Sequence, residues 1–210
     1  YSMELEKVVL PGKLKAIAGG AFSECEKLAE ADLPSGLEIL ENSAFYKTGI
    51  TSVTIPGTVT EVGYGAYKES QVAELTLEEG IEVIWGEAFT GTQLKNVMIA
   101  DSIAHMGPSV FADTPLENVT IGAGLESISN GAFANTNLTT VTIPENIAEI
   151  GEYAFANSML EEAIIERNDV YIFEGAFSGC PLKEIDLKDG VVAISDYAFY
   201  GNQAESVVIP

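Results

Sequence analysis

Basic residues are scarce in this chain: 10 Lys and Arg stand against 32 Asp and Glu among 210 residues, a formal charge of −22. They are also scattered, and the 71 residues from Asn96 to Glu166 contain none. A phosphate backbone or an anionic bilayer surface is repelled by such a chain, so nucleic acid is excluded as a partner. No apolar run approaches the roughly 18 residues that a membrane span needs. Membrane insertion is therefore not expected. Tyr1-Ser2-Met3-Glu4 opens no basic-then-apolar signal peptide, although an export signal removed earlier is compatible with the sequence.

Histidine and cysteine are rarer still. The one imidazole, His105, has no G-x-S-x-G serine elbow to serve as base and no second His or nearby Cys at ligand spacing, so it reads as a solvated surface residue. Neither an enzyme, a cofactor nor a metal centre is expected. Cys25 and Cys180 lie seven repeats apart, of order 34 Å by strand spacing, far beyond the roughly 4 to 7 Å that a disulfide spans. They read as small buried residues.

The chain is rich in one repeated pattern. Aromatic residues at 22, 45, 67, 89, 111, 133, 155, 177 and 199 are separated by 23 once and by 22 seven times, most of them preceded by Ala. A second column runs through Leu28, Ile50, Val72, Leu94, Leu116, Leu138, Leu160 and Leu182, with β-branched or apolar residues three and five positions further on. The unit is L-x-x-V-x-I-P-x-x-V-x-x-I-G-x-x-A-F-x-x-T-x. Its V-x-I segment alternates as a strand does, and Pro11, Pro34, Pro56, Pro144 and Pro210 stop it. Because the next strand begins one circuit later, neighbouring strands must be parallel, and the chain between them winds back as a solenoid coil. The returning V-x-x-I and Ala-Phe part is spaced for short extended or 3₁₀ turns. The fold class expected is α/β: one domain of about nine repeats over residues 1–210, a rod or shallow arc. The aromatic column is expected as an internal stack in which the Tyr67 hydroxyl needs a partner or an exit to water.

The combination L-x-x-V-x-I-P with I-G-x-x-A-F over the whole chain resembles the BspA-like leucine-rich repeats of bacterial surface proteins. That resemblance implies a right-handed horseshoe with its parallel sheet on the concave side, in proteins that sit at the cell surface and attach to host or neighbouring-cell components. The chain departs from the pattern where Trp85 and Phe173 replace the glycines of Gly63, Gly107 and Gly151, and where Asp169 replaces an apolar residue, with Val170 expected to turn inward instead. Trp85 is expected to face out, one coil from Tyr64.

On a concave sheet, the residues between the apolar anchors point at a partner. The candidate ligand-binding residues are Asn96, Met98, Asn118, Thr120, Thr140, Thr142, Glu162 and Ile164, a neutral centre with an acidic, partly apolar end. Glu162, Glu184 and Asp186 form an acidic solvated face; hard oxygens suit calcium, but their spacing matches no loop motif. Asn118-Val119-Thr120 and Asn137-Leu138-Thr139 match the glycosylation acceptor pattern, which matters only in a eukaryotic secretory route. The expected function is an extracellular or cell-surface binding or adhesion module for a protein or glycan, the alternative being a non-catalytic spacer or scaffold. Uncapped solenoid ends lead further to the expectation of a segment of a longer surface protein, or of end-to-end self-association.

Overall fold

The computed structural model describes residues 4–187, 191–204 and 206–208. Expectations placed on Ile209 and Pro210, and on the side chains of Glu184, Asp186, Ser206 and Val208, lie outside what is described. In chain order the strands are β1 (Ala16–Ile17), β2 (Ile39–Leu40), β3 (Ser52–Ile55), β4 (Glu61–Val62), β5 (Glu74–Leu77), β6 (Val83–Ile84), β7 (Asn96–Met98), β8 (His105–Met106), β9 (Asn118–Thr120), β10 (Ser127–Ile128), β11 (Thr140–Ile143), β12 (Glu149–Ile150), β13 (Glu162–Ile165), β14 (Tyr171–Ile172), β15 (Glu184–Asp186), β16 (Ala193–Ile194) and β17 (Ser206–Val208).

Every pairing is parallel and joins residues one repeat apart. Thr140 faces Glu162, 22 positions on, whereas Ala16 faces Ile39, 23 positions on, where the longer first step falls. The V-x-I segments form one ladder of longer strands, hydrogen-bonded two by two as β3-β5, β7-β9, β11-β13 and β15-β17. The V-x-x-I segments form a second ladder of two-residue strands, β1-β2-β4-β6-β8 and then β10-β12-β14-β16. A tight turn joins the ladders within a coil: Val59 N–H donates to Pro56 O at 2.9 Å, and Ile147 N–H to Pro144 O at 3.1 Å. Proline suits this point, since it donates no hydrogen bond to continue the strand that ends at Ile55 or Ile143.

The α/β class and the 3₁₀ segments expected on the returning side are corrected here: among the described residues there is no helix of either kind. The reason lies in two left-handed positions per coil, four residues apart, exemplified by Ser43 (φ 55°) with Lys47 (φ 53°) and Ser109 (φ 56°) with Asp113 (φ 58°). Their alternation turns successive N–H groups in different directions. Ser43, Phe45 and Lys47 donate to the carbonyls of Tyr64, Ala66 and Lys68 in the next coil at 2.8–2.9 Å, while Tyr46 N–H stays within its own coil on Ser43 O. A 3₁₀ helix would close all these donors internally and leave none for the neighbouring repeat. The turn edge is thus a third hydrogen-bonded stack.

Within that edge the nine aromatic rings form one column. Consecutive centroids from Phe22 to Phe199 lie 5.0–5.8 Å apart with interplanar angles of 4–14°. Each offset pair contributes about 0.5–1.5 kcal/mol beyond its buried area. Below the rings, Thr48, Ser70, Thr92, Thr114 and Thr136 are buried, and each hydroxyl donates to the carbonyl of the aromatic three residues earlier at 2.7–3.0 Å. Cys25 and Cys180 occupy the same column and are buried and free; the Cys180 thiol donates to Phe155 O at 3.1 Å. The Tyr67 hydroxyl is fully buried and has no hydrogen-bond partner among the described residues, and burial pushes its pKa upward. Val170 is fully buried beside exposed Asp169, as the irregular repeat required.

Candidate functional site

Alternation in the long ladder sends one set of side chains into the core and the other outward. Val53, Ile55, Val97, Val141 and Ile143 are buried, whereas all eight candidate residues are exposed. Two hydrogen-bonded strand pairs carry them. Asn96 lies opposite Asn118 and Met98 opposite Thr120 across β7-β9; Thr140 lies opposite Glu162 and Thr142 opposite Ile164 across β11-β13. The Asn118 side-chain amide donates to Asn96 Oδ1 at 2.8 Å, which fixes both side chains across one rung. Met98 is 70% exposed and Ile164 42%, an unusual presentation of apolar area on an otherwise hydroxyl-rich and amide-rich sheet.

The unpaired seam between β5 and β7 opens a hollow of about 470 Å³, lined by Thr76, Met98 and Thr120 among others. The seam therefore brings two of the candidate residues together with Thr76 from the preceding strand. Glu162 is exposed at the far side of the patch. Among the described residues no group of three or more His, Cys, Asp or Glu side chains is arranged to hold a metal ion. His105 is exposed on β8, its ring edge-on to Trp85 at a 6.0 Å centroid distance.

The second ladder carries two further hollows that the candidate residues do not include. One, of about 580 Å³, lies between Glu41, Glu61, Gly63 and Trp85. The other, of about 340 Å³, lies between Asn130, Glu149, Gly151 and Phe173. Trp85 is 44% exposed, and its indole N–H donates to Glu61 Oε2 at 2.8 Å, so the ring leans back across one coil. A Cβ on Gly63 would lie 2.5 Å from the Glu41 carbonyl carbon, and one on Gly151 2.6 Å from Asn130 Oδ1. The visible signal for both hollows was the pair of aromatic departures from the glycine column; what stacks beside each became apparent only with the coils in place.

The family description "BspA type Leucine rich repeat region" matches residues 1–116 and 104–210, with six copies. Among solved structures, a leucine-rich repeat protein from Bacteroides ovatus superposes with a TM-score of 0.72 at 21% identity, over 87% of this chain and 55% of that one. A leucine rich cell surface protein from Faecalibacterium prausnitzii gives 0.57 at 24% identity, over 95% of this chain and 65% of that one. The pneumococcal vaccine antigen PcpA gives 0.57 at 19%, over 95% and 70% respectively. The chain thus spans little more than half to about two thirds of the first two proteins it superposes on. No curated protein matches it. These likenesses show the fold, a parallel-strand solenoid with a 22-residue step.

Proposed function

As the chain belongs to the BspA-type leucine rich repeat family, we propose that it is a cell-surface binding or adhesion module whose long-ladder face, concave in the reading above, recognises a protein or glycan partner. The observation that carries this reading is the patch on β7, β9, β11 and β13: eight outward side chains of mixed character on a frame whose inward residues are nearly invariant in type. Met98 and Ile164 supply apolar anchors. Thr140, Thr142 and the Asn96–Asn118 pair supply donors and acceptors already held in register. A surface location accords with the description of the F. prausnitzii protein as a cell surface protein.

The test is a set of lysine substitutions at Asn96, Met98, Asn118 and Thr142. Binding to a partner recovered with the intact chain is expected to disappear while the circular dichroism spectrum and melting curve stay unchanged. Retained binding rejects this face as the site. A spacer, the other reading of a non-catalytic solenoid, would capture nothing saturably through the intact chain.

A further inference from the structure

The hollows at Trp85 and Phe173 share four parts at one offset, while Glu41, which lines the first, is replaced by Ser129 in the second. Asn42 and Asn130, Glu61 and Glu149, Gly63 and Gly151, Trp85 and Phe173 are each separated by 88 residues, four 22-residue steps. The shared details reach the hydrogen bonds: Asn42 Oδ1 accepts from Tyr64 N–H at 2.8 Å, and Asn130 Oδ1 accepts from Glu152 N–H at 2.9 Å. No other repeat carries this set. Between Asn42 and Asn130 the same column holds Tyr64, Gly86 and Pro108, and between Glu61 and Glu149 it holds Val83, His105 and Ser127. Each hollow is a trough along the solenoid axis, floored by a glycine that lies against the preceding coil and closed at one end by an aromatic ring.

An accessible aromatic face beside a carboxylate is the chemistry that holds a cation, through the ring quadrupole and an ion pair together; Trp85 is 44% exposed and Phe173 partly buried. Arginine suits it best, because a planar guanidinium stacks on a ring and is weakly hydrated. The electrostatics agree. The chain carries −22, and Asn130, Glu149 and Gly151 lie in the stretch from Asn96 to Glu166 that has no Lys or Arg, the next cation, Arg167, being paired with Asp169. Glu149 has no hydrogen-bond or ion-pair partner among the described residues, while Glu61 is oriented by the Trp85 indole. Four coils at the usual strand spacing separate equivalent points by roughly 20 Å. An extended peptide covers that distance in about six residues.

We propose that the two troughs form a bivalent site on the second ladder for an extended peptide bearing two arginines about six residues apart. Each guanidinium stacks on Trp85 or Phe173 and pairs with Glu61 or Glu149. Joining two weak contacts on one chain raises the affinity through effective concentration without any new contact. The site is separate from the long-ladder patch of the proposed function.

Trp85 is the single tryptophan of the chain, so its fluorescence reports on the first trough alone. The experiment titrates the intact chain with a Gly/Ser peptide carrying two Arg six residues apart, with its one-Arg and all-Gln versions, and with maltoheptaose. A saturable change in Trp85 fluorescence is expected for the two-Arg peptide, with at least tenfold weaker binding for the one-Arg version and none for the Gln peptide or the sugar. Phe173→Ala keeps the net charge yet should reduce the two-Arg affinity to the one-Arg level, although Phe173 lies four coils from the reporter; Phe173→Leu, which keeps apolar volume, and Glu149→Gln should do the same. Equal affinity for the one-Arg and two-Arg peptides, unchanged binding in the folded Phe173→Leu chain, or a response to maltoheptaose alone overturns the proposal. The lysine substitutions on the long ladder should leave this titration unchanged, which separates a failure here from a failure of the long-ladder reading.

Discussion

The turn edge and the long-strand face of this solenoid solve the same stacking problem differently. Along the turn edge, rings and backbone N–H groups connect coil to coil without interruption from Phe22 to Phe199. Along the long strands, hydrogen bonding proceeds in pairs and leaves an open seam between β5 and β7. Cohesion between repeats thus resides mainly on the buried edge, where side-chain identity is tightly limited. The strand face can then vary from Thr to Met to Glu at little cost in stability, which is what a recognition surface requires.

That contrast is broken most severely by Phe111→Ala. Removing a fully buried ring with stacked neighbours on both sides should cost about 3–5 kcal/mol in chemical unfolding. Thr142→Lys on the exposed face should stay within about 0.5 kcal/mol of the parent chain. Next, Thr114→Val keeps the volume beneath the rings but deprives the Phe111 carbonyl of its hydroxyl donor, for an expected loss of about 1–3 kcal/mol. In the opposite direction, Tyr67→Phe deletes a buried hydroxyl that has no partner among the described residues, and should raise stability by about 1 kcal/mol. Ser109→Gly relieves a left-handed backbone at φ 56° and should gain up to about 1 kcal/mol, visible as a higher melting temperature.

The smallest effect is electrostatic. Hydrogen bonds from Lys68 and Tyr64 hold the Glu87 carboxyl below its ordinary value of 4.5. Because the folded pKa is depressed, this contribution is complete above pH 4.5 and is lost as pH falls through the lower folded value. Lys68→Met should therefore flatten the acid limb of the stability profile and leave the slope at neutral pH unaltered.

Much of the architecture was legible because a solenoid writes its period into the chain. Nine aromatics at one step required parallel coils and a ring column, and alternation around Val141 and Ile143 assigned Thr140 and Thr142 to the outside. The inward shift to Val170 was readable for the same reason. What escaped the pattern was local backbone geometry. Ser43, Lys47, Glu87 and Tyr153 adopt left-handed conformations in columns where only some repeats, at Gly65, Gly131 and Gly91 for example, carry glycine, since neighbouring coils supply the hydrogen bonds that offset the strain. A turn read in isolation at that spacing resembles 3₁₀; only the next repeat makes it something else.

The sequence alone determined the period, the parallel sense of the strands and the division of side chains between core and surface, because each follows from where apolar residues recur along one chain. Tertiary structure decided which side chains from different coils share a hollow. Trp85 meets Glu61 and Phe173 meets Gly151 only after coils stack at a fixed distance. It also decided that Tyr67 would be left without a partner among the described residues, because a hydroxyl's surroundings come from the repeats above and below it, which no single unit encodes.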